Sequence, residues 1–103
     1  MPKPKKKKPA KKKLVKQNKV HPNRQWCVDN ANDEDLLFAD GFDDCIIGVS
    51  YGMVPRVVYD KDLMIYSLQD DGMDECEAIE YLEFNTWGAW VGPRTPIYID
   101  VKP

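Results

Sequence analysis

Carboxylates, one amide and two indoles are the side chains of this sequence best suited to line a ligand pocket. Two of these carboxylates, Asp40 and Asp43, stand in the segment ADGFDDC, and both indoles stand in the segment TWGAWVG. Carboxylates can transfer protons, and indoles can cover the apolar part of a ligand. Together these residue types are compatible with an enzyme or a small-ligand-binding protein. The residues that would converge in such a pocket are Asp40, Asp43, Asp60, Asn85, Trp87 and Trp90.

Among the residue patterns of this sequence, the adjacent acids Asp43 and Asp44 most resemble a catalytic or metal-binding pair. Neighbouring carboxylates can serve acid–base chemistry or hold a divalent cation. Aspartates that precede an apolar run more often cap a turn or face water, and the sequence assigns them no partner His, Lys or third acid. We therefore favour the structural interpretation and predict no catalytic residue, no cofactor and no metal.

Histidine and cysteine form no metal-binding motif. His21 is the only histidine and stands in a polar segment. Cys27, Cys45 and Cys76 are separated by 18 and 31 residues, which fits neither a disulfide framework nor a CxxC zinc site. We expect reduced cysteines and an intracellular protein. No apolar run approaches the roughly 18 residues that span a bilayer, so we expect no membrane association.

The formal net charge of -2 conceals two parts of opposite charge. Residues 1–24 carry ten lysines, Arg24 and no acid, a charge of +11, whereas residues 25–103 carry four bases and all 17 acids, a charge of -13. This asymmetry is typical of a basic interaction arm attached to an acidic body.

The lysine-rich beginning of the chain predicts a disordered arm over residues 1–24 that binds DNA, RNA or another polyanion. Lysines that meet phosphates release counterions, which produces affinity without sequence specificity and with steep salt dependence. The alternatives are a solubilising tail, an arm that lies on its own acidic body, and a nuclear-import signal in PKKKK. The predicted contacts are Lys5, Lys6, Lys7, Lys8, Lys11, Lys12 and Lys13.

Three strands are predicted in the acidic body. We expect residues 25–35 to form a linker, in which Trp26 and Val28 permit a short edge strand, and residues 36–103 to form the domain. Apolar runs over 45–49 and 56–59 predict a hairpin that turns at 51–53, and alternation over 97–101 predicts a last strand.

Two helices are predicted between the second and third strands. Asp60 is suited to cap the first helix, and Gly72 is suited to the left-handed residue that follows it. Asp74 with Glu77 predicts a capping box at the start of the second helix, and Asn85 is suited to end it. The expected fold is a small α+β domain in which a short antiparallel sheet packs against two helices.

The surface of the second helix divides by residue type. Its expected apolar stripe contains Cys76, Ile79, Leu82 and either Phe84 or Glu83, and its acidic face contains Glu77, Glu80 and Glu83. The following segment, residues 86–92, is rich in glycine and aromatic residues, and we predict a buried turn or short strand. Trp87 and Trp90 are expected to pack on the domain. With Asn85 they form the predicted ligand or partner surface.

Between Leu36 and Ile99 the chain resembles a family of small uncharacterised proteins found mostly in tailed bacteriophages and some bacteria. The resemblance rests on ADGFDDCIIGV, on YD before a helix, and on DGM, EAIEYLEFN, GAWVG and TPIYI in this order. The ending FNTWGAWVGPRTP is its most distinctive part, and the lysine-rich arm is not part of the pattern. The resemblance implies a small α+β fold and a viral or bacterial setting, and it carries no catalytic residue with it.

Three functional hypotheses follow from these observations. The favoured one is a non-catalytic accessory protein of the phage type, which binds a host or viral macromolecule through its acidic domain while its arm contacts a polyanion. The second is a small-ligand-binding protein or enzyme with a pocket near residues 85–90. The third is an acidic mimic of nucleic acid that uses the helix face of Glu77, Glu80 and Glu83 to inhibit a host DNA-binding protein.

Overall fold

The computed structural model describes residues 20–103, which fold into three helices and one three-stranded sheet. The predicted small α+β domain is confirmed. The predicted lysine arm lies almost entirely outside the described residues, as do all seven of its predicted contact lysines. In chain order the elements are α1 (Pro22–Ala31), a 3-10 turn (Asp43–Cys45), β1 (Ile46–Val49), β2 (Val57–Asp60), α2 (Lys61–Asp70), α3 (Glu75–Leu82), a π-helical turn (Glu83–Trp87) and β3 (Ile97–Ile99).

Strands β1 and β2 form the predicted antiparallel hairpin. Its loop closes where the Ser50 N–H donates to the Arg56 carbonyl at 2.8 Å and the Arg56 N–H donates to Ser50 Oγ at 2.9 Å. Gly52 at the tip has φ +143°, a conformation that side-chain-bearing residues rarely adopt. The turn therefore lies where the glycine predicted it.

Strand β3 pairs with β2 in parallel, and the prediction of a wholly antiparallel sheet is wrong at this pairing. The chain leaves β2, forms α2 and α3, and returns as β3 along the edge of β2 that is opposite to β1. A connection that contains helices brings the next strand back in the same direction, because the crossover reverses the chain once more. The sheet order is β1-β2-β3, so β2 is central.

The predicted linker over residues 25–35 contains most of helix α1, so both the linker and the edge strand at Trp26 are wrong. His21 caps the helix by accepting the Asn23 N–H at Nδ1 over 3.1 Å, and Pro22 occupies the first turn. Asn32 ends the helix with φ 53°. Burial of Cys27, which has no exposed surface, ties α1 to the core.

The predicted caps of α2 and α3 are confirmed. Asp60 accepts the backbone N–H groups of residues 62 and 63, at 2.9 and 3.3 Å. Asp74 and Glu77 form both hydrogen bonds of a capping box, at 2.8 and 3.0 Å. Gly72 follows α2 with φ +109°.

The predicted apolar stripe of the second helix is half wrong. Leu82 is buried and Ile79 packs against the core, but Cys76 and Phe84 are exposed and Ala78 takes the core position instead. Helix α3 thus faces the core with small and aliphatic side chains. The core as a whole contains Cys27, Leu36, Phe42, Cys45, Ile46, Val57, Tyr59, Met64, Ile65, Leu68, Ala78 and Leu82.

All helices of the described residues are too short or too polar to cross a lipid bilayer.

Candidate functional site

The predicted acid pair, Asp43 and Asp44, holds helix α1 against the domain. Arg24 Nε donates to Asp43 Oδ1 at 2.8 Å, and Arg24 Nη2 donates to Asp40 at 3.2 Å. The His21 ring accepts at Nδ1, so its Nε2–H donates to Asp44 Oδ1 at 3.0 Å. Burial lowers the pKa of Arg24, but its hydrogen bonds and charge interactions with Asp43 and Asp40 outweigh that effect and raise it. Asp40 and Asp43 are ion-paired with Arg24, and Asp44 is hydrogen-bonded to His21, so all three carboxylates tie α1 to the domain.

Within residues 20–103, no three His, Cys, Asp or Glu side chains lie close enough together to hold a metal ion. Asp60, another member of the predicted pocket, is engaged at the start of α2 by two backbone N–H groups. Neither Asp43 nor Asp60 lines either of the two cavities described below.

A first concavity of about 380 Å³, here called the apolar cavity, contains two of the predicted pocket residues, Asp40 and Asn85. Asn85 does not end the helix, because it lies within the π-helical turn and its amide donates to the Tyr81 carbonyl at 3.0 Å. Most of the lining is apolar or aromatic. It consists of Leu37, Phe38, Ala39, Asp40, Phe42, Tyr81, Asn85, Thr86, Ala89, Val91, Pro96 and Tyr98.

A second concavity of about 430 Å³, here called the tryptophan cavity, contains the two predicted indoles. Ala89, Pro96 and Tyr98 border both cavities, so the predicted surface of Asn85, Trp87 and Trp90 is divided between two neighbouring hollows. The tryptophan cavity is lined by Arg56, Lys61, Trp87, Gly88, Ala89, Trp90, Thr95, Pro96, Ile97 and Tyr98.

The two indoles occupy different environments. Trp87 packs against the core, as predicted, and its Nε1–H points at Met64 Sδ over 3.5 Å. The π-helical turn accounts for this orientation: Trp87 follows the buried Leu82 by five residues, the π-helical spacing. Trp90 is 71% exposed, so the prediction that it is buried is wrong.

The loop that carries Trp90 is closed by Thr95. The Val91 N–H donates to Thr95 Oγ1 at 2.9 Å, and that hydroxyl donates to the Gly92 carbonyl at 2.6 Å. Gly92 has φ +109°, and a Cβ on Gly88 would lie 3.1 Å from the Glu83 carbonyl oxygen. The glycines of GAWVG thus satisfy backbone requirements, and the loop holds an indole out toward solvent.

Arg56 and Lys61 are the two cationic side chains of the tryptophan cavity, and neither was among the predicted site residues. Arg56 Nε donates to the Thr95 carbonyl. Lys61 Nζ lies 4.7 Å from the centre of the Trp87 ring, a cation–π contact, and 3.4 Å from Asp100. The sequence does contain a signal for this pair of cations. Residues 25–103 contain only four bases, and two of them, Arg56 and Lys61, stand five residues apart.

Comparison of the chain with protein-family models, with curated proteins and with solved structures finds no significant match.

Proposed function

We propose that this is a non-catalytic binding protein of the phage accessory type, acting inside the cell. In this proposal the lysine-rich arm contacts DNA or RNA, and the acidic domain contacts a host or viral protein. The observation that carries it is the separation of charge. Because Arg24 is ion-paired within the domain, we place the boundary between the basic arm and the acidic domain at residue 20. Residues 1–19 carry ten lysines and no acid, and residues 20–103 carry five bases and 17 acids.

The arm is suited to a polyanion by its charge density alone. Each lysine that neutralises a phosphate releases a condensed counterion, and this release supplies affinity for any sequence. The domain, with a charge of -12 over residues 20–103, would repel the same ligand. The two parts therefore suit different partners.

The domain offers an acidic surface with an exposed aromatic side chain. Glu75, Glu80 and Glu83 are exposed and have no basic partner within 4.0 Å among the described residues. Phe84, beside them on the same helical segment, is 88% exposed. Aromatic anchors surrounded by charge are common at protein interfaces, where complementary charge speeds association. The chemistry favours a partner with a basic surface and an apolar pocket.

The arm is tested by replacing its seven predicted contact lysines with glutamine in the full chain. Binding to double-stranded DNA, followed by fluorescence anisotropy between 50 and 200 mM salt, should weaken strongly. The slope of log K against log salt is negative, and it should become less steep by about 0.9 for each lost phosphate contact. Replacing the same lysines with arginine is the matched control and should retain the slope. An unchanged slope in the glutamine variant would refute the arm's role.

The domain is tested separately by pull-down from a nuclease-treated lysate of the host cell. A protein captured by the wild-type chain should also be captured by the glutamine variant, since the arm is not its contact. Phe84→Ala should lose it, whereas Met53→Ala, which removes a fully exposed side chain from the hairpin tip, should not. Capture that requires the arm lysines but not Phe84 would contradict this part of the proposal.

A further inference from the structure

We propose that the tryptophan cavity binds a small anion joined to a planar aromatic ring, of the chemical class of a nucleoside monophosphate, with Arg56 and Lys61 on the anion and Trp90 on the ring. The site is independent of the lysine arm, because all of its residues lie in the domain. It therefore goes beyond the proposed contact with a polyanion.

The first argument is the position of the positive charges. Residues 20–103 contain only five bases, and two of them, Arg56 and Lys61, line this one cavity. Arg24 and Arg94 are paired with carboxylates at 2.8 and 3.1 Å. In the part of the chain that the structure describes, Arg56 has no carboxylate within 4.0 Å. A local positive site on a strongly acidic domain favours an anion of low charge over a polyanion.

The second argument is the way in which the two cations are held. Arg56 uses Nε on the Thr95 carbonyl, which orients the guanidinium while its terminal amino groups can donate to an anion in a bidentate manner. Among the described residues, Lys61 has one carboxylate partner, Asp100, whose side chain is 80% exposed. Such an exposed ion pair contributes little to stability, so an incoming anion can compete for the ammonium group.

The third argument is the exposed indole. Trp90 borders the same cavity and presents most of its surface to solvent. Exposed aromatic side chains next to cationic groups are the platforms on which nucleobases stack. Trp87 is less available, because its Nε1–H is directed at Met64 and Lys61 lies over its ring. A volume of about 430 Å³ is within the range of small-molecule sites.

The probe is adenosine 5′-monophosphate, titrated calorimetrically into the full chain, with adenosine and inorganic phosphate as its two halves. The monophosphate should bind more tightly than either half. Arg56→Gln should weaken binding at least tenfold, as expected for a charge-assisted hydrogen bond, and Trp90→Ala by about tenfold. Arg56→Lys should restore part of the affinity, and Trp90→Phe should retain most of it.

Two matched controls separate the cavity from other basic or aromatic groups. Lys102→Gln removes one positive charge and Trp26→Phe changes another exposed indole, and both should bind like the wild type. Thermal unfolding of each variant verifies that it is folded. Equal binding of phosphate and the monophosphate, or affinity that falls only when the arm lysines are replaced, would overturn the proposal. Tight binding that is unaffected by Arg56→Gln would overturn it as well.

Discussion

The three cysteines lie in environments that give them different chemistry. Burial, followed by the charges of nearby aspartates, raises the pKa of the Cys45 thiol to about 12. Burial likewise raises the pKa of Cys27. Cys76 lies exposed on the first turn of α3. The thiolate is the reactive form of cysteine. The two buried thiols are therefore protected twice, because reagents cannot reach them and because their raised pKa keeps them protonated.

We predict that iodoacetamide at pH 8 modifies one cysteine of the folded protein, Cys76, and modifies all three only after unfolding. Intact-mass measurement of the native and the urea-unfolded chain should show one and three additions. Cys76→Ser is the control and should leave the native protein unmodified. Rapid native labelling of Cys45 would show that the site opens far more often than its burial implies.

At the scale of elements, α3 depends on its first turn. Asp74 and Glu77 satisfy two backbone N–H groups that the helix itself leaves unpaired. The helix continues through the π-helical turn to Trp87, which contacts Met64 of α2. The cap therefore anchors the segment that carries one wall of the tryptophan cavity.

We predict that Asp74→Ala lowers the free energy of unfolding by about 1 kcal/mol, the usual loss for an N-cap. Urea unfolding followed by circular dichroism measures the change. Asp70→Ala is the matched control: it removes an acid from the last turn of α2, where the helix dipole disfavours negative charge, so stability should be unchanged or slightly higher. Equal losses in the two variants would mean that net charge, and not the cap, determines the effect.

At the scale of the whole molecule, a tyrosine hydroxyl and a cysteine thiol buried in their neutral forms make the stability of the fold depend on alkaline pH. Tyr59 has no exposed surface, and its oxygen accepts the Ala39 N–H at 2.7 Å. Burial raises the pKa of Tyr59 above its ordinary value of 10.0, and that of Cys45 above 9.0. The folded state retains these two protons to a higher pH than the unfolded state does. Their contribution to stability is therefore complete below the unfolded pKa values and is lost as the pH rises.

We predict that the free energy of unfolding begins to fall above pH 9, by about 1.4 kcal/mol per pH unit from Cys45 alone, and more steeply above pH 10 where Tyr59 adds its share. Urea unfolding in reducing buffer at pH 8, 9, 10 and 11 measures the slope. Cys45→Ala should show a smaller slope between pH 9 and 10, and the slope that remains comes from Cys27, whose pKa burial also raises. Parallel profiles for the two chains would contradict the linkage.

Much of the secondary structure could be predicted because its signals are local. A cap requires a side chain within three residues of the N–H groups that it accepts, as at Asp60 and Asp74. A loop position with positive φ favours glycine, as at Gly52 in the hairpin loop. Helix α1 was missed, although His21 and Asn32 bracket it, since its polar sequence has almost no apolar stripe. Its formation depends on burial of Cys27 and on the ion pairs of Arg24.

Composition and short-range pattern thus establish the basic charge of the first residues, the hairpin and the helix caps, because each depends on neighbours along the chain. The parallel return of β3, the division of the predicted surface into two cavities and the meeting of cations with indoles required the tertiary structure. Arg56 reaches Thr95 and Lys61 reaches Asp100 across 39 residues, and Trp87 reaches Met64 across 23. Contacts at such separations arise from packing, which no local pattern of residue types records.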